Sequence, residues 1–128
     1  MIDHCSVNVR DFQKSKAFYE QALAPIGYGL ILELPANVNP GGVDAAGFGE
    51  KGKPEFWIGT GDPGSPPAHV AFVVDTRERV DAFYKAALAA GGTDNGAPGI
   101  RAIYHPNYYG AFVRDPDGHN IEAVCHKP

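Results

Sequence analysis

The sequence predicts an α+β protein built from two βαβββ modules, and three observations carry that prediction. Shifting the chain by 65 positions pairs His4 with His69, Val9 with Val74, Ala17-Phe18-Tyr19 with Ala82-Phe83-Tyr84, Ala22-Leu23-Ala24 with Ala87-Leu88-Ala89, and Gly27 with Gly92. Each half then reads as a strand, a helix and three strands. Finally, Asp115-Pro116-Asp117-Gly118 lies between two apolar runs, Tyr108 to Arg114 and Asn120 to His126, and reads as a hairpin turn.

In module one, residues 2–9 read as a strand, and Asp11 caps a helix running to about Ala24, where Pro25 and Gly27 stop it. Tyr28 to Leu34 is a second strand. Pro35 to Gly42 is a loop, Val43 to Gly49 a weak third strand, and Glu55 to Gly59 a short fourth one. Thr60 to Pro67 has no hydrophobic pattern and reads as a linker, so residues 1–128 form one domain of two modules, about 1–60 and 68–128.

Module two opens with a strand from His69 to Val74, and Asp75 or Thr76 caps a helix to about Ala90, ended by Gly91-Gly92. In that helix Val80, Phe83, Tyr84, Ala87 and Leu88 make one apolar stripe that faces a sheet. Gly91 to Gly99 reads as a loop. Three strands follow, roughly Ile100 to His105, Tyr108 to Arg114 and Asn120 to His126.

Bulk properties narrow the function. With 11 Lys and Arg against 15 Asp and Glu, the net charge of −4 offers no basic footprint for nucleic acid. The first residues have no signal-peptide pattern and no apolar run approaches a membrane span, so a cytoplasmic protein with no membrane partner is expected. Cys5 and Cys125 are expected to be free thiols.

Strand alternation separates two faces of each sheet. Val70, Phe72 and Val74, with Cys5, Val7 and Val9 in module one and Ile121, Ala123 and Cys125 in the last strand, form the set under the helices. His4, His69 and Glu122 fall on the other, open face. A carboxylate inside an apolar strand needs a cation or a hydrogen-bond partner. Two symmetry-matched histidines and a carboxylate suit a divalent metal such as Zn, Mn, Fe or Ni. Near the same strands lie Trp57, Tyr104, Tyr108 and Tyr109, with His105 and His126, a set suited either to the core and a dimer interface or to a pocket for a flat or apolar molecule.

With these residues in place, the chain resembles the vicinal-oxygen-chelate superfamily, which includes glyoxalase I, fosfomycin-resistance thiol transferases, bleomycin-resistance proteins and extradiol dioxygenases. The resemblance rests on the paired module order, the histidine at the start of each module, the Ala-Phe-Tyr helices and the Asp-Pro-Asp-Gly turn four residues before Glu122. It implies a U-shaped, incompletely closed sheet with helices outside, a homodimer, and a divalent metal held by His4, His69 and Glu122. Where glyoxalase I has a fourth ligand, the 65-residue shift lands on Trp57, with Glu55 two residues away on the same face. Where extradiol dioxygenases have a tyrosine this chain has Phe112, and there is no basic cluster to receive a phosphonate as in fosfomycin resistance.

The leading expectation is therefore a glyoxalase-like, metal-dependent enzyme of the lyase or isomerase type, acting on a small molecule with adjacent oxygens. Its catalytic candidates are Glu122, Glu55 and His105. Its pocket candidates are Trp57, Tyr104, Tyr108, Tyr109 and His126. The alternative is a metal-free small-molecule-binding or drug-sequestering protein of the bleomycin-resistance type, with a dioxygenase or a thiol transferase ranked below it.

Overall fold

A computed structural model describes residues 1–128. The chain runs through strand β1 (Cys5–Val9), helix α1 (Phe12–Ala22), a 3-10 turn (Ala24–Ile26), β2 (Gly29–Leu34), β3 (Ala45–Glu50) and β4 (Lys53–Thr60). The second module follows as β5 (His69–Val73), α2 (Arg77–Ala89), β6 (Thr93–Ile100), β7 (Tyr109–Arg114) and β8 (Asn120–Cys125). Each module is a βαβββ unit, as the repeat predicts.

Local chemistry sets the helix ends. The Asp11 carboxylate accepts from the Lys14 N–H at 3.2 Å and begins α1. Of the two caps expected for α2, Thr76 is the one used, its hydroxyl accepting from the Arg79 N–H at 3.3 Å. Pro25 enters the 3-10 turn and Gly27, in the left-handed region at φ 92°, ends it.

The strands form two four-stranded sheets, in the orders β1-β4-β3-β2 and β5-β8-β7-β6, that share no ladder and do not close. In each, the first strand runs parallel to the last strand of its module and the remaining pairs are antiparallel. The registers are equivalent: Ser6 sits beside Trp57 in module one as Ala71 sits beside Glu122 in module two. Trp57 is thus the structural counterpart of Glu122, as the shift implies.

Both helices pack on one side of their sheets and on each other. The buried side chains of the two modules merge into one cluster that includes Phe18, Tyr19, Phe48, Phe56, Phe83 and Ile121. Phe72 meets Phe56 and Tyr28 edge to face, with centroids 5.4 and 5.5 Å apart, and so joins module two to module one. Each buried Phe contributes roughly 1.5–3 kcal/mol from its area alone.

The structure corrects one element. The segment read as a loop, Gly91 to Gly99, is mostly β6, and the expected strand from Ile100 to His105 is a series of turns beyond it. The reason is position in the sheet. β6 is an edge strand, where Pro98 needs no partner for its missing N–H, and its register shifts between Asp94, Gly96 and Gly99 absorb the glycines. Other ends move by a few residues: β1 begins at Cys5, leaving His4 just outside it, and β4 is longer than expected, from Lys53 to Thr60.

The hairpin turn forms as expected, with Gly118 at φ 90° and the Asp115 carboxylate accepting from the Asp117 and His119 N–H groups, each at 2.9 Å. It also fastens the two modules together. The Tyr19 hydroxyl of α1 donates to Asp115, the Arg10 N–H and the Ser15 hydroxyl reach Asp117, and the buried ring of His119 bridges Asn8 and Ala68.

Candidate functional site

β8 places Glu122 on the face away from α2, yet the side chain is only 1% exposed. Its carboxylate has a partner on each oxygen. His69 Nε2 lies 2.9 Å from Oε1, and the Tyr108 hydroxyl donates to Oε2. His69 reaches it because β5 lies next to β8, with Ala71 opposite Glu122 and His69 two residues before. Tyr108 comes from the turn that precedes β7. Hydrogen bonds to a charged group contribute about 1.5–3 kcal/mol each, which offsets the desolvation of a buried carboxylate. Burial and then the adjacent carboxylate raise the Tyr108 hydroxyl well above the ordinary phenol range, so it stays protonated as a donor.

Around Tyr108 lies a cluster of rings. Tyr104 stacks at a tilt with centroids 4.7 Å apart, while His105 and His126 meet Tyr108 edge to face at 5.6 and 5.4 Å. His105 Nδ1 accepts from the Asn107 N–H, which leaves its Nε2–H to donate to His126 Nδ1 at 2.8 Å. Tyr109 is not part of this cluster. Its hydroxyl donates to Asp81 of α2 at 2.7 Å and Arg77 lies over its ring, so it sits on the helix side.

The module-one residues form a different neighbourhood. His4 Nδ1 is 2.7 Å from the Asp3 carboxylate, which also takes Lys53 Nζ at 3.2 Å. The His4 hydrogen bond, then Lys53, hold the Asp3 carboxyl below its ordinary range. Glu55 accepts from the Tyr28 hydroxyl at 2.5 Å, and burial together with Glu55 pushes that phenol well up. His4, Glu55 and His69 line one cavity of about 550 Å³ between β1, β4 and β5. Trp57 lines a second, on the open face of module one, of about 600 Å³. Asp3 and His4 line both.

The structure therefore brings His69 together with Glu122 and Tyr108, and His105 together with His126 and Tyr104. His4 stands apart from the His69–Glu122 pair. No three His, Cys, Asp or Glu side chains converge as a metal-holding group. The pair itself is a hydrogen bond, with Nε2 and Oε1 2.9 Å apart. Its imidazole nitrogen and carboxylate oxygen are donor types that suit a divalent ion, with a third donor needed from elsewhere.

Two features escaped the sequence reading. Tyr108 was legible as a ring near the site, but nothing local marked it as the second partner of Glu122. Gly47 was the other: it faces Trp57 across the β3–β4 ladder, and a Cβ there would lie 2.9 Å from the indole ring. The 65-residue shift held the signal, because the matching pair in module two, Phe112 opposite Glu122, has its ring on the other strand and no glycine.

Comparison with known proteins agrees with this architecture. A search of curated protein sequences returned no match. Among solved structures, a glyoxalase/bleomycin resistance protein from Albidiferax ferrireducens T118 is 30% identical, covers 98% of each chain and superposes with a TM-score of 0.74. A mutant of the fosfomycin resistance protein FosX from Listeria monocytogenes, complexed with Mn(II) and a dihydroxypropylphosphonic acid, is 20% identical over 97% of this chain and 88% of its own, with a TM-score of 0.68. A glyoxalase I mutant from Zea mays is 24% identical over 96% of this chain and 46% of its own, with a TM-score of 0.69. The latter two establish likeness of fold. The model of the glyoxalase/bleomycin resistance protein/dioxygenase superfamily matches residues 1–123, and with the paired modules and their matching ladders it makes this chain a member of that superfamily.

Proposed function

We propose that the protein is a glyoxalase-like, metal-dependent enzyme of the lyase or isomerase type, acting on a small molecule that presents adjacent oxygens. The observation that carries this is the His69–Glu122 pair, an imidazole nitrogen against a buried carboxylate that Tyr108 orients. His4 is the third ligand. It is exposed and borders the cavity that His69 lines, so it joins either by leaving Asp3 or from a second copy in a homodimer.

A divalent ion bound there supplies Lewis-acid polarisation of substrate oxygens. The chain's own groups do the rest. Tyr108 fixes the Glu122 carboxylate through Oε2 and leaves Oε1 toward His69. Glu55 is the proton acceptor, because it lines the same cavity as His4 and His69 while His105 is engaged with Asn107 and His126. Tyr28 holds Glu55 in place.

The test is calorimetric titration of chelator-stripped protein with Zn, Ni, Mn and Fe(II). One ion per chain is expected, with affinity falling at least a hundredfold in Glu122→Ala and His69→Ala. Binding that is absent in the wild type, or unchanged in both variants, overturns the reading.

Trp57 in the ladder position of Glu122 favours a second reading, a metal-free small-molecule-binding protein of the bleomycin-resistance type. Here the trough on module one holds the ligand without a metal. Ligand binding that persists in stripped protein supports it.

A further inference from the structure

The trough on module one has a floor, walls and polar edge that specify its occupant. Its lining includes His4, Ser6, Asn8, Leu34, Val43 and Trp57. At about 600 Å³ it lies within the range of small-molecule sites.

The floor is built where module one departs from module two. Trp57 lies opposite Gly47, and a Cβ at residue 47 would stand 2.9 Å from two atoms of the indole and 2.8 Å from Pro54. Contact that close means the indole is laid across the bare backbone of β3, with Pro54 beside it. In module two the same positions hold Phe112 and Glu122, so the ring stands on the other strand and no glycine bares the backbone beneath it. Trp57 is half-buried and borders the trough. An aromatic surface so placed favours a flat π-system, which stacks on it, over a saturated ring of equal size.

The polar groups indicate the rest of the ligand. Lys53 is the trough's cation and is already paired with Asp3 at 3.2 Å, so no formal charge is left unmatched to select an ion. Several polar groups line the trough, among them the exposed side chains of Ser6, Asn8 and His4 and the half-buried indole of Trp57. Two of these groups are fixed at one end, since the Asn8 amide donates to the Asp62 carbonyl at 3.0 Å and His4 Nδ1 is held by Asp3. Donors and acceptors are thus preset beside an aromatic floor.

We infer that the module-one trough binds a neutral, planar fused-ring aromatic molecule with a hydrogen-bonding edge, and that Trp57 laid on Gly47 is its specificity-determining platform. The inference rests on the trough being a ligand site, as in the second reading, in which no metal is bound and His4 stays with Asp3.

The test compares 2-naphthamide with its saturated counterpart, decalin-2-carboxamide, by ligand- and protein-observed NMR titration of chelator-stripped protein. Trp57 is the sole tryptophan, so its indole N–H resonance reports whether binding occurs in the trough. The expected result is a planar preference of about three- to tenfold, the range of an aromatic pair, with a shift of the indole resonance. The preference is expected to vanish in Trp57→Leu and to shrink in Gly47→Ala, each checked for folding by circular dichroism. Equal binding of the two amides by wild type, or a preference that survives in Trp57→Leu, overturns the planar inference while leaving the trough a ligand site. Failure of both amides to bind wild type overturns the inference and the trough reading together.

Discussion

The hydroxyl of Tyr19 donates to the buried carboxylate of Asp115 at 2.5 Å, joining the helix of module one to the turn of module two. Its counterpart in the repeat, Tyr84, reaches exposed Asp94 of its own module at 3.0 Å. The same helix position therefore serves opposite ends. Tyr19→Phe leaves a buried carboxylate oxygen without its donor and is expected to destabilise the fold by about 1.5–3 kcal/mol in urea denaturation. Tyr84→Phe, at an exposed pair, is expected to leave the midpoint where it is. Equal effects of the two substitutions would contradict a clamp at Asp115.

His119 is 1% exposed, accepts from the Ala68 N–H at Nδ1 and donates from Nε2 to the Asn8 carbonyl. That assignment makes it the neutral ring with its hydrogen on Nε2. His119→Ala strands two backbone groups and opens a void, with an expected loss of about 3 kcal/mol or more. Urea titration measures it.

Three phenols, Tyr19, Tyr28 and Tyr108, are raised above the ordinary range, each chiefly by burial and then by the carboxylate it bonds. In the unfolded chain they ionise near pH 10, while the folded chain keeps its protons. The folded state then binds more protons, so stability is fully present below about pH 10 and falls as pH rises above it. Urea midpoints taken from pH 8 to 11 should decline over the upper part of that range, and Tyr28→Phe should flatten the decline.

If Glu122 holds a metal, Tyr108→Phe removes the partner that orients it. Metal affinity is then expected to fall about ten- to hundredfold, as for other outer hydrogen-bond partners of metal ligands. The calorimetric titration described for Glu122→Ala reads this directly, and an unchanged affinity would reduce Tyr108 to a packing role.

Much of the fold was legible because its signals are local. The 65-residue match, the caps at Asp11 and Thr76, and the alternation that sent Glu122 away from α2 all depend on near neighbours in sequence. β6 was misread because Gly96, Pro98 and Gly99 argue against a strand, and only the edge position that tolerates them, set by tertiary structure, reverses the argument. For the candidate site, the pairing of His69 with Glu122 followed from face assignment. His4 did not join them, since it precedes β1 and Asp3 takes its ring. The roles of Asp117 and His119 were hidden for a simpler reason: their partners Arg10 and Asn8 lie over a hundred residues away, and no periodicity reports so distant a contact.

The fastening between the modules runs in one direction. Asp115, Asp117 and His119 all belong to module two and reach back to Tyr19, Arg10, Ser15 and Asn8 of module one. By the repeat, their counterparts in module one are Glu50, Gly52 and Pro54: Gly52 and Pro54 lack those side chains, and the Glu50 carboxylate is exposed where that of Asp115 is buried. Two halves alike in fold thus meet as a lock and a strike plate. Cut in the segment between β4 and β5 and expressed as separate fragments, the halves are expected to associate, whereas two copies of module one have no latch to offer. The asymmetry gives module two the task of holding the assembly closed and leaves the corresponding strand of module one, the one that bears Trp57, without it.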